Sequence, residues 1–212
     1  YLASVRYDYK SRYYATASFR VDGSSKFDKS NRYGYFPSAS LAWNFSKESF
    51  LKKYKDWLSN GKLRASWGLT GNNRVGEYDS YALLAMLKGA SGTIASGVYP
   101  FENNINSIGM VPTSLANKAL KWETTEQWNV GMDLGFFDER ISVNVDWYLK
   151  TTRDLLLRAS LPYSTGFATA MKNIGKVRNT GIEFTLNTLN FKKRGFTWST
   201  NFNIAFNKNE IG

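Results

Sequence analysis

Over much of the chain, apolar and polar residues alternate one for one. Tyr13, Ala15, Ala17, Phe19 and Val21 interleave with Tyr14, Thr16, Ser18, Arg20 and Asp22. Trp128, Val130, Met132, Leu134 and Phe136 interleave with Gln127, Asn129, Gly131, Asp133 and Gly135. A period of two sends the two sets to opposite faces of a β-strand. The same pattern predicts eight strands, over 2–9, 13–22, 35–46, 63–70, 126–136, 141–150, 178–189 and 196–206. Their remaining apolar sets include Leu41, Trp43 and Phe45; Leu63, Ala65, Trp67 and Leu69; and Ile141, Val143, Val145, Trp147 and Leu149. Ile182, Phe184 and Leu186 follow, then Phe196, Trp198, Phe202, Ile204 and Phe206. None of these positions carries a charge. Lys or Arg on a lipid-facing strand costs ~2–4 kcal/mol at the bilayer midplane, so a membrane wall predicts that absence.

The connections supply a second signal. Segments 10–12, 138–140 and 191–195 are tight turns, whereas 23–33, 71–121 and 152–177 are long. Following the hairpins up and down, every long connection falls on one rim and every tight turn on the other. Outer-membrane barrels sort their loops in this way. Segment 47–61 falls on the tight-turn rim and predicts the one short helix, from the spacing of Phe50, Leu51, Tyr54, Trp57 and Leu58, with Gly61 as its stop. The expected fold is all-β: an antiparallel, up-and-down transmembrane β-barrel wall with one short periplasmic helix. Trp43, Trp67, Trp128, Trp147 and Trp198 are the expected membrane-facing aromatics, with Trp122 and Tyr35 as further girdle candidates. Arg20, Asp22, Arg64, Asp133 and Asp146 are the expected lumen-facing polar residues. Gly181 predicts a bulge or bend in its strand. Segment 71–121 is rich in Gly, Ser and Asn, and an irregular stretch of that length is commonly functional. Its Tyr78, Tyr81, Tyr99 and Phe101 are candidate contacts for a ligand or a partner.

Composition removes several classes of chemistry. The 212 residues contain no Cys and no His, which excludes disulfides, thiolate sites, Cys nucleophiles and Ser-His-Asp triads. No metal or cofactor is expected: Asp28, Glu77 and Asp79 lack calcium-loop spacing, and Gly71–Gly76 lacks the Lys-Ser/Thr of a phosphate loop. Asp133 and Asp146 are read as balanced polarity rather than an acid–base pair. A formal net charge of +11 raises nucleic acid as a partner. The cations are spread over connections and strands instead of tracking one element, so no nucleic-acid partner is expected. No window approaches the ~18 apolar residues of a membrane helix, which leaves strands as the crossing elements.

Several phrases resemble one family. These are Arg20-Val-Asp-Gly-Ser-Ser-Lys-Phe27, Arg32-Tyr-Gly-Tyr-Phe-Pro-Ser-Ala-Ser40 with Trp43, and Leu63-Arg-Ala-Ser-Trp-Gly-Leu-Thr-Gly-Asn72. They continue with Lys121-Trp-Glu-Thr-Thr-Glu-Gln-Trp-Asn-Val-Gly131, Phe136-Phe-Asp-Glu-Arg-Ile141 and Asn173-Ile-Gly-Lys-Val-Arg-Asn-Thr-Gly-Ile-Glu-Phe184. In this order they resemble the barrel of the SusC/RagA class of TonB-dependent outer-membrane transporters. The resemblance implies a barrel of roughly twenty-two strands. Residues 1–212 would then be part of its C-terminal barrel domain, with the plug domain absent from this stretch. It implies a bacterial outer-membrane location, no enzymatic activity, and import of a nutrient, an oligosaccharide first and an oligopeptide second. The implied partners are outer-membrane lipid, a SusD-like surface lipoprotein, and an inner-membrane TonB complex engaged through the missing N-terminal part. The alternative reading is a stand-alone eight-stranded surface barrel, or a carbohydrate-binding β-module, without transport. Pairing of the first strand with the last would favour that alternative.

Overall fold

The computed structural model describes residues 1–54, 56–86 and 110–212. Among these residues twelve strands follow in chain order. They are β1 (Leu2–Tyr9), β2 (Tyr13–Gly23), β3 (Tyr33–Trp43), β4 (Leu58–Asn72), β5 (Leu84–Met86) and β6 (Met110–Pro112). Then come β7 (Glu123–Phe136), β8 (Ile141–Arg153), β9 (Leu156–Ser160), β10 (Thr169–Asn173), β11 (Lys176–Lys193) and β12 (Phe196–Ile211). Eight of them form one antiparallel sheet in the order β1-β2-β3-β4-β7-β8-β11-β12, a meander in which sequence neighbours are spatial neighbours. The remaining four make two small ribbons, β5-β6 and β9-β10, within the long connections. β1 and β12 do not pair, so these eight strands do not close into a barrel of their own.

The pairing aligns the apolar sets into continuous rows. Across β4, β7, β8, β11 and β12, one row reads Ala65, Val130, Trp147, Ile182, Phe206, and the next reads Leu63, Met132, Val145, Phe184, Ile204. No second layer of protein covers them among the described residues: Leu41 is 64 % exposed, Val130 47 % and Phe206 62 %. Folding normally hides such side chains from water. From Trp128 to Phe136 the apolar set of β7 runs about 27 Å along the strand at ~3.4 Å per residue. At ~40° of tilt this spans roughly 20 Å of membrane normal, the scale of an outer-membrane apolar band.

Six of the eight sheet strands are longer than the alternation predicts, because they continue beyond the apolar band with mainly polar residues; β1 keeps the predicted bounds, and β3 begins two residues early and ends at Trp43 rather than 46, where Phe45 enters a 3₁₀ turn. Two registers shift, at Ser59 between Leu58 and Asn60, and at Asn190 between Leu189 and Phe191. The second shift swaps parity, so that Phe191 stacks on Trp198 with ring centroids 6.3 Å apart. Gly181 is not a bulge; its register is regular on both sides. The predicted helix over 47–61 is shorter and tighter. Two 3₁₀ turns, Phe45–Lys47 and Ser49–Tyr54, occupy the connection, and β4 already begins at Leu58. Gly61 is therefore a strand residue, and the Phe45 ring lies where its Cβ would be. Pro37 fits β3 because pairing to β4 starts only at Ser38.

A buried apolar cluster lies among the long connections. It consists of Phe27, Val75, Leu120 and Leu156, with Trp122 and Met171 packed against it. Each comes from a different stretch of chain, so the loops are joined into one platform. Backbone and side-chain hydrogen bonds reinforce it. The Lys26 ammonium donates to the Val75 carbonyl at 2.9 Å, Ser80 donates to the Lys26 carbonyl, and Asn173 exchanges two bonds with the Lys121 backbone.

Candidate functional site

Three surfaces carry chemistry: the polar face, the two ends of the apolar face, and the loop platform. On the polar face, Arg64 of β4 projects across Gly131 of β7, where a Cβ would collide with the guanidinium. It donates twice to Asp133, at 2.8 and 2.9 Å, and to Asp146 of β8 at 2.9 Å. Asn144 also donates to Asp133 at 2.8 Å. One cation thus holds both carboxylates, and the group spans three strands. Asp133 and Asp146 meet through Arg64 instead of facing each other directly: Asp133 is opposite Asn144, and Asp146 is opposite Gly131. Tyr148 repeats the device. Its ring crosses Gly181 and its hydroxyl donates to Asn207 of β12 at 2.6 Å. That crossing explains Gly181 better than a bend does. Arg20 pairs with Asp22 at 2.9 Å and lies 5.4 Å over the Phe36 ring. All five predicted polar residues therefore share this face, with Arg64, Asp133 and Asp146 forming one group and Arg20 and Asp22 a separate pair. Beside the Arg64 group is a polar depression of 530 Å³, whose lining includes Gln127, Asn129, Lys150 and Glu183.

The apolar face ends in a capped carboxylate on each rim. At the tight-turn rim, Glu48 accepts from the Tyr13 hydroxyl at 2.7 Å, the Trp43 indole at 3.3 Å and Arg12 at 3.2 Å. The Tyr13 bond first, then the indole and the guanidinium, hold the Glu48 carboxyl below its ordinary range, against the opposing effect of burial. At the long-loop rim, Glu126 accepts from the Trp67 and Trp128 indoles at 3.2 and 3.1 Å and pairs with Arg153 at 3.2 Å. Indole rings suit such a border, because the ring is apolar and its N–H needs a partner. Trp147 lies two residues deeper than Trp128's row, and Trp198 lies near the tight-turn rim. All five predicted tryptophans share the apolar face. Trp122 does not. It packs between Phe27 and Phe36 and donates to the Arg32 carbonyl, inside the loop platform.

On the platform, Tyr78 and Tyr81 are 61 % and 47 % exposed and line a cavity of 510 Å³ with Ser25, Lys26 and Glu77. Tyr99 and Phe101 lie outside the described residues. The loop cluster and the two indole-capped carboxylates were not predicted. Alternation cannot find the first, and the second needs Tyr13, Trp67 and Arg153 to be brought to these carboxylates from strands remote in sequence.

The comparisons fit this geometry. A family model described as TonB dependent receptor-like, beta-barrel, matches residues 1–212. TonB-dependent receptor P39 of Formosa agariphila is 42 % identical over 209 residues, which is 99 % of this chain and 19 % of that protein. TonB-dependent receptor SusC of Bacteroides thetaiotaomicron is 39 % identical over 212 residues, 100 % of this chain and 20 % of that one. The solved RagAB peptide transporter superimposes with a TM-score of 0.85 at 28 % identity, covering 99 % of this chain and 22 % of its own. The chain spans about a fifth of the length of these relatives. An open, loop-sorted sheet with one apolar and one polar face, matched from its first residue to its last, belongs to the TonB-dependent receptor β-barrel family and is an outer-membrane protein.

Proposed function

We propose that this chain is part of the C-terminal barrel wall of an active importer. Its apolar face meets lipid and its polar face lines the lumen. Its loop platform stands at the cell surface, and the plug and the TonB-contacting part come from elsewhere in the receptor. The observation that carries this reading is the open eight-stranded sheet with an uncovered apolar face, since unpaired edges require further strands. Both open edges also disfavour the stand-alone barrel. The proposed cargo is an oligosaccharide. Tyr78 and Tyr81 offer exposed ring faces beside the polar groups of Lys26 and Glu77, a combination suited to a sugar's CH face and hydroxyls. A peptide cargo is the second reading, favoured by the likeness to the RagAB peptide transporter. A SusD-like surface lipoprotein is the proposed partner of the platform. The test is uptake by cells carrying the whole receptor. Tyr78→Ala with Tyr81→Ala should reduce entry of a labelled oligosaccharide and leave the receptor's abundance unchanged. Unchanged oligosaccharide entry with reduced oligopeptide entry would decide for the second reading. No effect on either cargo would refute the role of these rings.

A further inference from the structure

At the long-loop end, the apolar face stops being neutral in a particular way. The row above the indoles reads Leu69, Glu126, Thr151, Arg178, Glu210, and the row above that contains Thr124, Arg153 and Lys176. Lys208 lies one row below, opposite Thr180. Four cations thus meet two carboxylates on the outward side of β7, β8, β11 and β12. Arg153 and Lys176 are direct cross-strand partners, an arrangement of like charges that is unfavourable unless an anion intervenes. Glu126 pairs with Arg153 and Glu210 with Lys208. Among the described residues no ion pair uses Lys176 or Arg178.

An open depression of 570 Å³ lies beside Arg178, Lys208 and Glu210, and Lys176 stands two residues beyond Arg178 on the same face of β11, outside its lining. Trp147, Ile182 and Phe206 form its apolar end, and Arg178, Lys208 and Glu210 form its charged end. The polarity follows the strand direction, from hydrocarbon depth toward the surface. An apolar chain fits the lower end and a phosphate fits the upper one. A free anion has no use for the apolar end, and a lipid without net charge has little for the cations.

We propose that this part of the wall is a binding site for a net-anionic lipid, one whose headgroup carries a phosphate monoester, in the outer leaflet. The phosphate is held by Lys176 and Arg178, and an acyl chain lies against Trp147, Ile182 and Phe206. The inference rests on the reading of the apolar face as lipid-facing. Its test therefore separates the two.

The whole receptor is reconstituted in phosphatidylcholine nanodiscs doped with bisphosphorylated lipid A, with the same glycolipid dephosphorylated, or with neither. Retained lipid is counted by native mass spectrometry. The phosphorylated glycolipid should be retained in preference to the other two, and inorganic phosphate should not displace it. Each of Lys176→Gln and Arg178→Gln should weaken retention roughly fivefold, the effect of one interfacial cation. Arg178→Lys should restore most of it, which separates lost charge from lost folding. A spin label at Ile182→Cys reports on the underlying reading. It should relax with oxygen and not with an aqueous relaxant. Equal retention of the phosphorylated and dephosphorylated lipids, with the label in hydrocarbon, would overturn the inference alone. Displacement by free phosphate would make the site an anion site and overturn it as well. A label in water would overturn the lipid-facing reading.

Discussion

Phe184 and Thr185 are neighbours on β11, at the same depth and on opposite faces. Phe184 sits in the row of Met132, Val145 and Ile204, while Thr185 lies between Asn144 and Asn203. Four residues above Phe184 is Thr180, beside the indole row, and four below it is Thr188, opposite Ile141. Four steps are about 14 Å of strand, or roughly 10 Å of membrane normal at ~40° of tilt. Phe184 is therefore near the midplane, where an Arg is at its most unfavourable. Phe184→Arg should destabilise the receptor by about 2–4 kcal/mol, a factor of roughly 30 to 1,000 in the folding equilibrium. Thr185→Arg places the same cation among amides and hydroxyls and should cost under about 1 kcal/mol. The assay is urea-dependent folding of the whole receptor into vesicles, read from the heat-modifiable mobility of the folded barrel. Fractions assembled in the outer membrane of cells give a second readout. Equal losses for the two variants, or a larger loss for Thr185→Arg, would refute the division of faces on which the functional reading depends.

Three further outcomes follow from the contacts. Arg64 is 39 % exposed on its side chain, so each of its ion pairs is partly screened; a double-mutant cycle of Arg64→Ala with Asp133→Ala should give a coupling of about 0.5–1 kcal/mol, and a value near zero would deny the cross-strand group any role in stability. Gly181→Val should expel the Tyr148 ring and destabilise more than Tyr148→Phe, which removes only one hydrogen bond worth ~1 kcal/mol; thermal unfolding in detergent ranks the two, and the reverse order would show that Gly181 does not serve the crossing. Glu48 has a lowered carboxyl pKa, so its stabilisation is complete above the ordinary value near ~4.3 and is lost as pH falls through the folded one; acid titration of unfolding should therefore show a steeper loss in the wild type than in Glu48→Gln, and identical slopes would count against the capped carboxylate.

The wall was legible in the sequence because lipid and water impose opposite demands on adjacent residues. A one-residue slip would turn Val130, Met132 and Leu134 to the polar side, so the alternation constrains phase as well as strand position. Loop parity was legible for a related reason, since up-and-down connectivity alternates rims. The segment 47–61 misled because Phe50, Leu51, Tyr54, Trp57 and Leu58 match helical spacing, while Leu58 is claimed by strand pairing and Trp57 by the turn beside it. The Trp57 ring stacks on Phe136 at 5.7 Å, and its carbonyl accepts from the Phe137 N–H. A tertiary contact outweighed a local period there. The loop platform was illegible because Phe27, Val75, Leu120 and Leu156 are single apolar residues without a period, assembled only when distant connections meet.

The polar face shows what periodicity leaves out. Alternation predicts that Arg64, Asp133, Asp146 and Tyr148 share a side, but it does not say which strands they tie together. Glycine decides that. With Gly131 in the polar register of β7, Arg64 passes over a neighbouring strand to reach the second one, and Gly181 does the same for Tyr148 between β8 and β12. Each crossing joins three strands through one side chain, whereas the backbone ladder joins only two. An open sheet with no second layer over either face of its strands among the described residues lacks the core that normally fixes strand against strand. The crossings take over part of that work on the polar side, the indole-capped carboxylates do so at the rims, and the loop cluster does so above. Glycines at polar-phase positions, flanked across the ladder by long side chains, are therefore the sequence mark by which such crossings can be sought in other barrels.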